Sequence, residues 1–331
     1  MAPVSVRDVE QAGERVSGFV VRTPVLPFLG AALAGDNQLW LKCENLQRTS
    51  SFKIRGAYNA VSGLNEAERT RGVITYSSGN HGQAVACAAH ALGINAVIVM
   101  PEDAVPLKVE ATRGWGAEVV FAGHTSLHRQ ERAMELVEEH GYAVIPPFDD
   151  RRIIAGQGTA GLELIEQLPD VQEVVVQVGG GGLISGIATA VKARRPDVRV
   201  IGVEPEGAAD ARDSLRNGRL TTWDRIDTVA DGLRTSRIGE LNFATISELV
   251  DDIVTVTDDE IIEAMALLAT QARLVAEPSG AVAPAAVLFG RTGLAGNRVL
   301  AVISGGNVDP ALLASSLERS SHRQVAPVHA G

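Results

Sequence analysis

Only two cysteines, Cys43 and Cys87, occur in 331 residues. That is too few for a disulfide scaffold and excludes the small cystine-stapled secreted classes. Basic charge is also short: Lys plus Arg total 30 against 40 for Asp plus Glu, a formal net charge of -10. A chain this acidic has no general attraction for phosphate backbones or anionic lipid, and no long basic cluster overrides that balance. Nucleic acid is therefore not an expected partner. No apolar run has the length of a bilayer crossing, and Ile94–Met100 reads as a buried strand instead, so no membrane partner is expected either. The first residues lack the basic-then-apolar order of a secretory signal. Tandem repeats and low-complexity blocks are absent. Cytoplasmic residence is the simplest expectation.

Hydrophobic residues make up 45% and charged residues 21% of the chain, an ordinary soluble composition with length enough for two lobes. Short β-rich runs alternate with helical patterns. The strand candidates are Leu39–Cys43, Val73–Thr75, Ala96–Met100, Glu118–Phe121, Ala143–Ile145, Glu173–Val178, Val198–Val203, Asp252–Val256 and Arg298–Ile303. Helices are expected over Gly82–His90, Val105–Arg113, Ser126–His140, Thr159–Gln167, Leu183–Ala193, Asp258–Ala272 and Pro278–Phe289, with a first helix opening at a Ser5-x-x-Asp8 capping box. This alternation predicts an α/β fold with open, mostly parallel sheets covered on both faces. Residues 72–146 are expected to form a small lobe inserted in a larger one built from 1–62 and 147–318. The segment 319–331 is expected to be disordered.

Four segments carry chemistry. In Ser51-Phe52-Lys53-Ile54-Arg55-Gly56-Ala57, a lysine between two apolar residues at a helix start is poorly placed for a solvated charge. Desolvation makes it a competent amine, although a snorkelling lysine fits the same heptapeptide. Ser77-Ser78-Gly79-Asn80-His81-Gly82 joins a strand to a helix and offers amides, hydroxyls and a carboxamide to a carboxylate or phosphate. An Asn-containing turn followed by an N-cap explains it as well. Gly179-Gly180-Gly181-Gly182-Leu183 also joins a strand to a helix. Four glycines at that junction favour a phosphate wrapped by backbone amides over a purely structural run. The same stretch, with Gly186 and the later Glu204, fits a dinucleotide site and hence an NAD-dependent oxidoreductase. Ser304-Gly305-Gly306-Asn307 follows a strand and points a hydroxyl into the ligand crevice, unless it is only a strand-ending turn.

Together and in this order, these segments resemble the fold-type II pyridoxal-phosphate enzymes of the threonine dehydratase and serine racemase group. The resemblance runs from Arg22-Thr23-Pro24 to Ser304–Asp309. It takes in Pro147-Phe148-Asp149-Asp150, Ile154–Thr159, Ala230-Asp231-Gly232 and Glu277-Pro278-Ser279-Gly280-Ala281. It implies that Lys53 carries the cofactor covalently and exchanges the Cα proton. Phe52 would pack on pyridoxal phosphate, Asn80 would contact the ring's 3′-oxygen, and Gly179 to Leu183 would hold the phosphate. Gly232 would line the cofactor, and Ser304 would face the pyridine nitrogen. Ser77, Ser78, Asn80 and His81 would receive the substrate, with Arg129 approaching it. Ser78 matches the second-face group of the racemases. Glu204, the Ala208 carbonyl and Asp210 match a Mg²⁺ or Ca²⁺ site, for which oxygen donors are suited.

The implied activity is elimination from L-threonine or L-serine to a 2-keto acid and ammonia. Serine racemisation with elimination as a side reaction, or elimination from another β-hydroxy amino acid, is the alternative. A homodimer is implied, and isoleucine feedback through a regulatory domain after Asn307 is not expected. Ser50 departs from the family, which commonly has glycine there. Cys87-x-x-His90 lacks a second pair to complete a metal set and reads as a buried thiol and an ordinary histidine.

Overall fold

The computed structural model describes residues 3–30, 37–77, 79–104, 106–124, 126–293 and 298–323. Among these, ten strands run in chain order: β1 (Val25–Pro27), β2 (Gln38–Cys43), β3 (Val73–Thr75), β4 (Ala96–Met100), β5 (Glu118–Phe121), β6 (Ala143–Val144), β7 (Glu173–Gln177), β8 (Arg199–Pro205), β9 (Asp252–Val256) and β10 (Arg298–Ile303). They form a six-stranded sheet of order β1-β2-β10-β7-β8-β9 and a four-stranded sheet of order β5-β4-β3-β6. Only β1 pairs antiparallel; the other pairings are parallel. The α/β architecture with two mostly parallel, helix-flanked sheets is as expected. No described helix is long and apolar enough to cross a membrane.

Along β10, Val299, Ala301 and Ile303 face one apolar cluster while Leu300 and Val302 face another. Both sides of the large sheet are covered, so its central strands are apolar throughout. The last strand, β10, enters between β2 and β7. The order of strand addition reverses there, and open α/β sheets bind ligands in the crevice beyond the carboxyl ends of such strands.

Helix Val6–Val16 opens at the expected capping box of Ser5 and Asp8. The expected helix Thr159–Gln167 instead begins at Arg151, where Asp150 caps it by accepting from the Arg152 amide at 2.7 Å. Its glycines, which read as helix-weakening, are needed for contact. A Cβ on Gly156 would lie 2.6 Å from the Gly56 Cα, and one on Gly158 would lie 2.8 Å from the Gly186 carbonyl. Helix Arg151–Gln167 thus meets helices Lys53–Ser62 and Gly182–Arg194 backbone to backbone. The expected Asp258–Ala272 helix is α-helical to Leu267, then a π-turn over Leu268–Ala272 ended by Arg273 at φ 60°. Helix Pro310–Arg323 continues past residue 318 into the tail expected to be disordered. Leu312 packs on the core and Ser316 is buried, so the helix is anchored before it reaches the tail. Residues 324–331 lie outside the described residues.

A charged group lies buried beneath the same helices. Arg55 donates to Glu44 at 2.7 Å and to Glu163 at 2.7 Å, and Lys42 donates to Glu163 at 2.6 Å and to the Thr23 carbonyl at 2.8 Å. Burial works against the Glu44 charge, yet Arg55 and Lys42 hold its carboxyl below the ordinary range. The cations and carboxylates balance two against two, the condition under which buried charge is tolerable.

Candidate active site

Four helices begin at the crevice: Lys53–Ser62, Asn80–Ala91, Gly182–Arg194 and Pro278–Leu288. Their N-cap residues Phe52, Gly79, Gly181 and Glu277 supply no side-chain cap. The first amides of a helix have no partner within it; at Phe52, Arg55, Glu277 and Gly280 they are taken by carbonyls, so the starts of helices Asn80–Ala91 and Gly182–Arg194 are the ones suited to an anion.

The chain has four lysines. Lys42, Lys108 and Lys192 are paired with Glu163, Asp231 and Asp251. Among the described residues no ion pair engages Lys53; its Nζ donates to the Pro147 carbonyl at 2.8 Å and lies 5.2 Å from the Phe52 ring centroid. Burial pushes its amine down to about 8, with the Glu277 charge pulling the other way. A half-buried amine near neutrality with no carboxylate partner is suited to nucleophilic chemistry.

The segment Pro147–Asp150 ties the site together. Pro147 meets Lys53, and Asp149 accepts from the Glu240 and Leu241 amides at 3.0 Å each. Phe148 packs where a Gly180 Cβ would stand, and its carbonyl lies 3.1 Å from where a Gly182 Cβ would be. Gly181 has φ +92° and sits against Asn242. Packing therefore accounts for three of the four glycines, beyond any need of a phosphate. The Gly180 carbonyl is taken by Asn242 at 2.9 Å and the Gly181 carbonyl by the Ser185 amide at 3.0 Å. With the carbonyls engaged, the amides at the start of helix Gly182–Arg194 are the groups left to offer.

Ser304 ends β10, and its carbonyl accepts from the Phe52 amide at 3.0 Å, fastening the lysine segment to that strand. Gly232 donates to the Ser279 hydroxyl at 2.9 Å. The Ser77 hydroxyl lies 3.4 Å from the Gly79 amide, and Ser78 lies outside the described residues. Asn80 donates to Glu277 at 2.6 Å and accepts from Asn307 at 2.8 Å. His81 is buried, and burial and the Lys53 charge push its ring down to about 3. Its Nε2 lies 2.9 Å from the Ile145 carbonyl, which only accepts, so the single proton sits on Nε2 and is committed. The ring therefore has no donor for a carboxylate, and the backbone amide is what His81 can contribute. Arg129 is half-buried on helix Ser126–His140, with the Asp103 charge facing it.

Glu204, Ala208 and Asp210 form a second group at the end of β8. All three are buried. Glu204 accepts from the Ala211 and Arg212 amides at 2.9 and 2.8 Å. Burial, then the Asp210 charge, hold the Glu204 carboxyl well above its ordinary range, and burial pushes Asp210 up to about 7. No set of three or more His, Cys, Asp or Glu able to hold a metal occurs among the described residues.

Residues 16–305 match the family model described as pyridoxal-phosphate dependent enzyme. The chain belongs to that family. It is 44% identical to L-threonine ammonia-lyase of Thermotoga maritima, over 92% of this chain and 76% of the relative. It is 43% identical to L-threo-3-hydroxyaspartate ammonia-lyase of Saccharomyces cerevisiae, over 91% of this chain and 93% of that one. The solved structure of maize serine racemase superimposes with a TM-score of 0.91 at 35% identity, covering 98% of this chain and 99% of its own. Family membership removes the dinucleotide alternative. For a family whose cofactor carries an aldehyde and a phosphate, the residues present fit: one unpaired amine stands beside uncapped helix starts.

Thr49 and Ser50, just before the lysine segment, have φ 64° and 54°. Non-glycine residues there are strained. Ser50→Gly should raise stability by about 0.5–1 kcal/mol in urea denaturation, since strain relief outweighs the added unfolded-chain entropy. A lower midpoint would contradict this account of the loop.

Proposed function

We propose that this enzyme is an ammonia-lyase that converts L-threonine or L-serine to a 2-keto acid and ammonia. The observation that carries the reading is Lys53, the one lysine without an ion-pair partner among the described residues, set among uncapped helix starts. Pyridoxal phosphate, when bound, supplies an aldehyde for an amine and a ring that absorbs the electron pair from the substrate Cα. Lys53 holds the cofactor and then takes the Cα proton on Nζ. Amides from Gly179 to Leu183 bind the phosphate, with Phe52 and Gly232 lining the ring. Asn80 approaches the ring oxygen and Ser304 the ring nitrogen. Ser77, Ser78, Asn80 and the His81 amide receive the substrate carboxylate at the start of helix Asn80–Ala91, and Arg129 approaches from the four-stranded side.

Glu204, the Ala208 carbonyl and Asp210 would hold Mg²⁺ or Ca²⁺. Two buried carboxyls, of which Glu204 is raised further by the Asp210 charge and Asp210 has, among the described residues, no hydrogen-bond partner within 3.5 Å at either carboxyl oxygen, fit a hard cation or a shared proton. Buried free Cys43 and Cys87 support a reducing, cytoplasmic setting. Exposed Leu46 lies within the Asn45–Gln47 segment, which hydrogen-bonds to exposed Val21 and Val275, and these three side chains support a homodimer. The likeness to maize serine racemase supports a second reading, racemisation, with Ser78 acting on the face opposite Lys53.

The test is incubation with L-threonine, L-serine and 3-hydroxyaspartate, assayed for keto acid, ammonia and inverted enantiomer, with Mg²⁺ or with a chelator. Keto acid and ammonia in equal amounts, reduced by the chelator, are expected. Inverted enantiomer in excess of keto acid would replace the lyase reading with the racemase one, and no product from any of them would remove both.

A further inference from the structure

Asn242, in helix Glu240–Leu249, is completely buried, yet the steps above give it no part. Its Nδ2 lies 2.9 Å from the Gly180 carbonyl, 3.3 Å from the Phe148 carbonyl and 3.4 Å from Asp149 Oδ1. All three are acceptors, which settles which end of the carboxamide carries the NH2 group. The Asn242 Oδ1 is buried and has no hydrogen-bond partner among the described residues. An amide used at one end only is a costly filler, and an apolar side chain of similar volume would pack at lower cost. The NH2 group is therefore what calls for asparagine here.

The two carbonyls belong to opposite ends of the site. Gly180 lies in the tetraglycine turn, whereas Phe148 follows Pro147, whose carbonyl accepts from Lys53 Nζ at 2.8 Å. One NH2 group thus joins the segment that holds the amine to the turn read above as the phosphate site. Neighbouring bonds brace the same joint. The Gly239 amide donates to the Gly180 carbonyl at 3.1 Å, and the Ser185 hydroxyl lies 3.4 Å from the Asn242 carbonyl. Asp149 accepts from the first two amides of helix Glu240–Leu249.

Peptide geometry carries the effect onward. In a trans peptide the carbonyl and the following N–H point in opposite directions. With its carbonyl drawn toward Asn242 and Gly239, the Gly180–Gly181 peptide turns the Gly181 N–H away from helix Glu240–Leu249. No described backbone carbonyl takes an amide from Gly179 to Leu183, so these donors stay open to a ligand.

We propose that Asn242 is a positioning residue that sets the phosphate-binding turn against the Lys53 segment and so fixes the spacing between amine and phosphate. This rests on reading Gly179 to Leu183 as the phosphate site and Lys53 as the amine.

Asn242→Ala removes the NH2 group but leaves the Gly239 amide on the Gly180 carbonyl, so it should weaken pyridoxal phosphate by about five- to tenfold. Alanine is a good helix former, so the fold should stand. Asn242→Asp turns a donor into an acceptor that faces two carbonyls and Asp149, and it adds negative charge beside an anion site. It should weaken the cofactor by about 50-fold or more. Pyridoxal has the aldehyde but no phosphate, and its affinity should stay within about twofold in both variants. Full-length protein stripped of cofactor and titrated with each aldehyde, followed by visible absorbance, gives these affinities. In the holoenzyme, the ³¹P NMR signal of the cofactor should move in both variants as the turn's amides are re-aimed. General loosening of the fold would weaken both aldehydes alike. Equal losses for the two aldehydes, no loss for pyridoxal phosphate, or a smaller loss in Asn242→Asp than in Asn242→Ala would overturn the proposal. Asn242→Ala decides alone if Asn242→Asp does not fold. If the unaltered protein takes up neither aldehyde, the functional reading fails by itself. Inorganic phosphate titrated into the same protein and read by ³¹P NMR then decides the role of Asn242: weaker binding in the variants upholds it, and unchanged or absent binding overturns it.

Discussion

Replacing Lys53 by alanine should cut turnover by about 10³-fold or more and remove the visible absorbance of the bound cofactor. The size of the effect follows from the lack of a substitute. Lys42 is buried against Glu163 and Gln167, and Lys108 and Lys192 are engaged by Asp231 and Asp251. No other lysine amine is available to hold the cofactor or to move the Cα proton. Alanine is a good helix former, and the helix that starts at residue 53 is held by Gly56 and Arg55 rather than by Lys53, so the fold should survive. Absorbance, turnover and circular dichroism measured together separate the two effects. A variant that stays coloured and active would remove the assignment of Lys53.

The second large effect is on stability. Arg55→Met should cost about 3–5 kcal/mol in chemical denaturation of the cofactor-free protein, because it leaves Glu44 buried and Glu163 half-satisfied. Lys42 offsets only part of this, since its amine is shared with the Thr23 carbonyl and Gln167. The double variant Arg55→Met with Glu44→Gln should recover a large share of the loss, as removing both charges costs less than stranding one. A loss below about 1 kcal/mol for the single variant would mean that water already reaches this group. Arg55 lies in the first turn of the helix that starts at Lys53, so the buried network anchors the start of that helix.

Local features of the site are readable because neighbours in the chain create them. The Ser5–Asp8 capping box, the strand–glycine–helix junction at Gly179–Leu183 and the apolar flanks of Lys53 each depend on residues a few positions apart, and each stands where expected. The start of helix Arg151–Gln167 is not legible locally, because Gly156 and Gly158 weaken a helix in isolation. Their value lies in backbone contact with Gly56 and Gly186, which periodicity does not display.

The sequence by itself determined the strand–helix alternation and the family, and it singled out Lys53 among four lysines. Folding decided the partners. Lys53 meets Pro147 across 94 residues, Asn80 meets Glu277 across 197, and Asn307 meets Asn80 across 227. The proton on His81 is committed by a carbonyl 64 residues away, and burial keeps the ring neutral. Contacts of such separation arise because β10 is laid last between β2 and β7, and a one-dimensional pattern holds no record of that insertion.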